Sequence, residues 1–291
     1  MSEQRPVDVN PLPAPDLLGD ELVALIPAIA AGAGPAPATP ATPPALRARL
    51  FDRVARSAAA SRDLFTLRHA DAPLQQPQPG LTLRTLYRAR GLALRPGEPA
   101  RVRLIELAPG ACWDGPEPDL QREWLVMRGA VRLGDEVLEA EDFHVAPAGA
   151  PARPLAGAQG AHGMQGTHGA LVMLRESPLP AGRGEQPRTQ HARDAAWLDF
   201  APGIRRRLMW QRGREAAMLY RAAPGVGVPR HGHGHDEECL MLAGDLFLDE
   251  VLLRTLDYQL APAGSVHASV FTDTGALLYA HGDVELDLMP G

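Results

Sequence analysis

The sequence predicts an all-β protein: two tandem antiparallel barrels behind a short helical, Pro-rich N-terminal extension. Three observations carry this. From about Thr82, short runs rich in Val, Leu, Ile and Phe are separated by Gly, Pro and Asp turns, the texture of a barrel or sandwich. A polar stretch from Leu179, LPAGRGEQPRTQHARD, divides this region from a second one like it. The two regions also match each other in register.

The extension comes first, over residues 1–80. Asp16 to Ile26 reads as a short helix with Leu17, Leu18, Leu22, Leu25 and Ile26 on one stripe, ended by Pro27. Residues 31–44, AGAGPAPATPATPP, form a linker whose prolines block both helix and ladder bonding. Ala45 to Ala59 reads as a second helix, with Leu46, Leu50, Val54 and Ala58 repeating every fourth residue. These helices would cover an apolar barrel face, in cis or, in a homodimer, in trans.

The barrels span 81–180 and 190–289. Ala108-Pro109-Gly110 recurs as Ala223-Pro224-Gly225, Gly129 as Gly244, and Pro147-Ala148-Gly149 as Pro262-Ala263-Gly264, all at an offset of 115 without a gap. Gly169-Ala170-Leu171 matches Gly275-Ala276-Leu277 at an offset of 106, so the first copy carries nine extra residues within GAQGAHGMQGTHG. A unit of this size is a duplicated domain and not a solenoid repeat.

Bulk properties exclude several classes. The chain has 291 residues, 45% hydrophobic and 22% charged, a globular balance that suits two domains. Its net charge of -6 gives no support to direct nucleic-acid binding. All 29 basic residues are Arg, and the two cysteines, Cys112 and Cys239, form no Cys-x-x-Cys motif. No apolar run reaches membrane-span length, and the first residues lack the pattern of a signal peptide. The expectation is a cytoplasmic protein.

The chemistry lies in GVGVPRHGHGHDEECLMLAG of the second copy. His231 and His233 are two apart, which on a strand puts both on one face. Glu237 shares their parity, although a turn intervenes. His267 follows Pro262-Ala263-Gly264, where a barrel can bring its strand alongside. Three imidazoles and a carboxylate suit one borderline divalent metal with a position left for water or ligand. His235 is a rival imidazole and Glu238 a rival carboxylate; Cys239 is read as facing the barrel wall. At the equivalent positions the first copy has Pro116, Pro118, Arg122 and Ala152, which cannot make the same site. His162 and His168 lie in its extra loop. Arg205-Arg206-Arg207 reads as a solvated strand edge.

The run from Gly225 to Gly244 with His231, His233 and Glu237 resembles the first motif of the cupin superfamily. Pro262, Gly264 and His267 resemble the core of its second, whose leading Gly and trailing Asn are missing here. Trp197, Pro202-Gly203, GDLFLDE at 244–250 and PAGSVH at 262–267 narrow the resemblance to the cupin domain of ChrR-type anti-sigma factors. The resemblance is strong over about 190–285 and weaker over 82–177. It implies two cupin (double-stranded β-helix) barrels, with metal on His231, His233, Glu237 and His267. Zinc is the first choice, and iron, manganese or nickel fit the same donors. It also implies a regulatory or ligand-sensing role with a sigma-factor-like partner. The helical domain of that family usually carries a His-x3-Cys-x2-Cys motif, which is absent here: no Cys precedes Cys112. The alternatives are a metal-dependent cupin enzyme, such as a dioxygenase, and a cupin that binds a small molecule without catalysis.

Overall fold

A computed structural model of the chain describes Ala48 and residues 64–89, 94–116, 118–158 and 169–289. The chain divides into two units, Met1–Asp52 and Arg53–Gly291. Of the first, only Ala48 is described, in helical conformation. The helices expected at 16–26 and 45–59 otherwise lie outside the described residues, as do His162 and His168.

The second unit is all-β. Its first barrel has a seven-stranded sheet in the order Arg188–Gln190, Phe143–Ala146, Gln121–Arg128, Ala170–Ser177, Arg101–Leu107, Leu81–Arg88 and Leu74–Gln78. A four-stranded sheet of Cys112–Trp113, Leu155–Ala158, Ala130–Leu133 and Glu136–Glu139 closes it. The second barrel is centred on Glu237–Leu248, flanked by Tyr258–Ala261 and Ala276–Asp283, with Glu215–Ala222 and Ile204–Arg212 beyond.

Strand Ala170–Ser177 is buried along its whole length because it has a core on each face. Ala170, Val172 and Leu174 point into the first barrel, beside Ile105, Trp124 and Val126. Leu171 and Met173 point the other way, into a core shared with Trp210, Leu219, Leu240 and Tyr258 of the second barrel. The barrels thus pack sheet against sheet.

The duplication holds in backbone detail. Gly110 and Gly225 have φ of 79° and 77°, and Gly149 and Gly264 of 83° and 86°. Gly129 and Gly244 each pass against the Gly-Ala pair that opens the next long strand, at 169–170 and 275–276. Even the strained positions Glu141 and Leu256, neither of them glycine, share positive φ at the same offset.

Each copy also lends the other a strand. Phe65–Leu67, ahead of the first barrel, pairs with Tyr258–Ala261 of the second. Arg188–Gln190, ahead of the second, pairs with Phe143–Ala146 of the first. Equivalent aspartates lock both arms: Asp257 accepts from the His69 amide and Arg68, and Asp142 from the Ala192 amide while meeting His191 Nδ1. Two strands, Phe65–Leu67 and Leu74–Gln78, therefore fall inside the segment that the sequence assigns to the extension.

Where the barrels meet, a charged cluster is buried. Arg175 pairs with Glu123 of its own barrel at 3.0 Å and with Glu238 of the other at 2.5 Å. His281 Nε2 lies 3.4 Å from Glu123, and Tyr258 and Tyr279 donate to Glu238 and Glu123. Arg207 corrects the reading of its triplet. Arg205 faces solvent, but Arg207, two residues further along the same strand face, is covered by the first barrel and only 2% exposed; there it bonds Glu141 and stacks on Trp197.

Candidate metal centre

A three-stranded patch builds the site. His231–Gly232 pairs with Val266–His267, setting His231 directly opposite His267, and with Asp287–Leu288 on its other edge. The turn at Pro262-Ala263-Gly264 returns the chain to this patch. There the Gly264 amide bonds His233 O at 2.7 Å, and the His233 amide bonds Ser265 O. Glu237 opens the long strand beside it.

The rings of His231, His233 and His267 lie with centroids 5.0–5.6 Å apart. All three side chains are buried. His231 Nδ1 is 2.9 Å from Pro229 O, and His267 Nδ1 is 3.1 Å from Asp249 Oδ2. Bonding at Nδ1 leaves Nε2 as the atom free to ligate, the usual device by which a second partner orients a metal-binding imidazole. Nε2 of His233 and of His267 stand 3.6 and 3.5 Å from Glu237 Oε2, too far for a good hydrogen bond. Both are buried without a partner.

Donor atoms of His231, His233 and Glu237 all lie within 4.8 Å of one another, a geometry compatible with a divalent ion. His267 falls outside that tightest set, yet it approaches the same carboxylate oxygen.

Electrostatics follow from the packing. Burial lowers His233, assisted by the neighbouring imidazoles and opposed by Glu237. Burial also works against the charged form of His267, but Asp249 and Glu237 overcome it and raise His267 to about 9. Glu237 is held below its ordinary range: burial opposes this, and the His267 and His233 rings outweigh it. Asp249 is lowered too, by His267 and by the amides of Ser269 and Ala268, against its own burial.

The rivals resolve differently. His235 is half-exposed, with Nδ1 2.7 Å from Asp283, which also accepts the Gly234 and His235 amides. It ties the 233–235 loop to Asp283. Glu238 turns to Arg175 and Tyr258, away from the histidines. Cys239 lies in the barrel wall and burial pushes its thiol up. In the first barrel Arg122 occupies the Glu237 position and donates to Ala150 O, while Trp124 and Trp113 fill the interior.

Sequence reasoning missed Asp249 and Asp283. Asp249 lies in the GDLFLDE run, but its role appears only when its strand end folds back on Ala268 and Ser269. Asp283 lies 48 residues from the loop it clamps.

His231 and Glu237 also stand in the wall of an apolar cavity inside the second barrel, with Phe200, Leu246, Leu248 and Val270. The cavity volume is about 70 Å³, several times the ~10–15 Å³ that one water occupies in such terms.

Fold and site together define a bicupin, with a candidate His/His/Glu metal cluster in one of its two barrels. Residues 185–285 match the ChrR Cupin-like domain family, so the C-terminal domain is a ChrR-like cupin. No curated protein matches the chain. Among solved structures, a Nostoc punctiforme protein described as a candidate dioxygenase superposes with a TM-score of 0.58 at 15% identity, covering 79% of this chain and 88% of that one. An oxalate decarboxylase variant from Bacillus subtilis gives 0.57 at 13%, covering 78% of each chain. The oxalate decarboxylase of Lactobacillus farciminis gives 0.55 at 12%, covering 77% and 87%. At these identities the likeness shows the fold. Among the described residues no helix is long and apolar enough to cross a membrane.

Proposed function

We propose that the second barrel is a metal centre that binds and transforms a small molecule, with His231, His233, Glu237 and His267 as ligands. The observation that carries this is the pair of buried, unpartnered Nε2 atoms aimed at Glu237 beside a cavity. Buried polar atoms are nearly always satisfied, so an orphaned pair calls for a partner. A divalent ion there would supply Lewis-acid activation or, if redox-active, oxygen chemistry. Zinc remains the first choice from the family likeness, with iron, manganese and nickel compatible.

The protein's own groups do the positioning. Asp249 fixes the His267 ring, and Asp283 holds the 233–235 loop. The remaining polar groups of the wall, Tyr220, Thr272 and Cys239, are neutral at physiological pH: burial raises Tyr220 to about 12 and pushes Cys239 up. Among the described residues the wall offers no second carboxylate as a base. Solved structures of similar fold, named as oxalate decarboxylases and as a candidate dioxygenase, support an enzymatic reading.

A second reading, regulation, is favoured by the ChrR Cupin-like match. In it the same site senses a ligand or oxidant, and the N-terminal extension holds a sigma-factor-like protein. Two measurements test these readings. Azide added to cobalt(II)-substituted protein should shift its visible spectrum, because an open coordination position is required for either. An unchanged spectrum would contradict both. Capture of a sigma-like partner from the host by full-length protein favours regulation, and turnover of a small molecule without such a partner favours the enzyme.

A further inference from the structure

The cavity beside the histidines differs in chemistry from a site built for small diacids. Its apolar wall includes Phe200, Ile204, Leu246, Leu248, Val270 and Leu278. Among the described residues that line it, Glu237 is the only carboxylate, His231 the only imidazole, and there is no arginine. The chain has no lysine at all. The nearby Arg206 is already engaged: its guanidinium stacks on Phe200 at 5.0 Å, donates to Val284 O and bonds the Tyr220 hydroxyl of the wall.

Charge then selects the ligand. A divalent ion with Glu237 as its only anionic ligand leaves one net positive charge. A single carboxylate neutralises it. A second carboxylate would be buried among aliphatic side chains without a counter-charge or a row of donors, which is strongly unfavourable. Tyr220, Thr272 and Cys239 offer neutral hydrogen bonds for at most an uncharged polar atom.

Resting on the metal reading above, we infer that the second barrel takes a monoanionic ligand with a compact apolar tail, its one carboxylate-like head on the metal, and that it rejects small dianions. Each methylene placed in the cavity removes apolar surface from water. Affinity in a straight-chain series should rise about fourfold per carbon until the cavity is full, then level off.

The test uses full-length, zinc-loaded protein whose metal content is measured first. Acetate, butanoate, hexanoate and octanoate are titrated by calorimetry, with oxalate and malonate as dianions. The inference expects a rising series that breaks at one chain length, and oxalate at least tenfold weaker than butanoate. Ala222→Leu, which fills the wall, should shorten the break point at unchanged metal content. Leu246→Ala, which enlarges it, should lengthen it. A flat series, oxalate tighter than butanoate, or equal affinity in metal-free protein would overturn the inference while leaving the metal site standing. So would dianion binding that is abolished by Arg206→Gln, because Arg206 would then be the missing counter-charge. Failure to take up metal would instead overturn the metal reading and the inference with it.

Discussion

Replacing Arg175 with Met should destabilise the two-barrel unit by about 3–5 kcal/mol, the cost of removing one partner from a buried ion pair. The geometry argues for the upper half of that range. Arg175 is 1% exposed and pairs with two carboxylates, Glu123 and Glu238, each equally buried and on different barrels. It also donates to Gly97 O. Met fills the volume and leaves both carboxylates facing each other's charge. For a unit of this size the loss corresponds to roughly 6–20 °C in Tm. The pH dependence carries a sign. Burial pushes Glu123 up, but His281 and Arg175 overcome it and hold Glu123 at about 2. In the wild type that stability is complete above the ordinary value of 4.5 and is lost as pH falls toward 2. Without Arg175 the carboxylates gain from protonation, so the gap between variant and wild type should narrow on acidification. Adding Glu238→Gln to the variant should recover part of the loss. Urea unfolding at pH 7 and pH 4.5 measures all of this. A loss under about 1 kcal/mol at pH 7, or a gap that widens in acid, would refute the cluster's role in joining the barrels.

Three further outcomes follow from particular residues. Asp249→Asn keeps the shape beside His267 and removes the charge, and metal affinity should fall roughly 10–100-fold in a competition titration; an unchanged affinity would show that Asp249 does not orient a ligand. His144 is held at about 4, first by burial and then by Arg153 and Arg122, so it is neutral in the fold. Unfolded His144 takes up a proton below its ordinary 6.5, so stability is complete above 6.5 and falls by up to ~3 kcal/mol as pH drops toward 4; His144→Gln should flatten that slope in denaturation curves. Gly244→Ala would place a Cβ 2.0 Å from Gly275 O and should cost roughly 3 kcal/mol or more, whereas Gly225→Ala meets nothing within 4 Å and should cost only the ~1–2 kcal/mol of its left-handed backbone. Equal losses would show that backbone crowding at Gly244 is not what conserves its place in both copies.

The duplication was legible because turn glycines with positive φ, such as Gly110 and Gly225, leave the same mark wherever the same turn occurs. His231, His233 and Glu237 were legible because they lie within one short segment whose strand spacing is fixed by backbone geometry. His267 was reachable through its turn. What escaped was everything set by pairing over long distances. The exchange of Phe65–Leu67 and Arg188–Gln190 between copies has no local signal, since a three-residue strand is defined by its partner. Arg207 looked like Arg205, which shares its strand face, until the packing of Glu141 from the first barrel separated them. Glu238 could be told from Glu237 only by the Arg175 that waits on the other barrel. The extension at 1–80 reads as two helices and a Pro-rich linker, and of the two strands past the second expected helix, FTL is too short and LQQPQ too polar to carry the alternating apolar pattern that marks a strand.

On the proposal above, each chain holds one divalent ion, in the second barrel, on His231, His233, Glu237 and His267. Metal content per chain, measured by mass spectrometry after dialysis without added metal, tests it most directly. The expected result is one ion in the wild type, near-complete loss in His233→Ala, and marked loss in His267→Ala. His168→Ala, in the first copy, should retain the full complement. Two ions per chain, or full retention in His233→Ala, would contradict it.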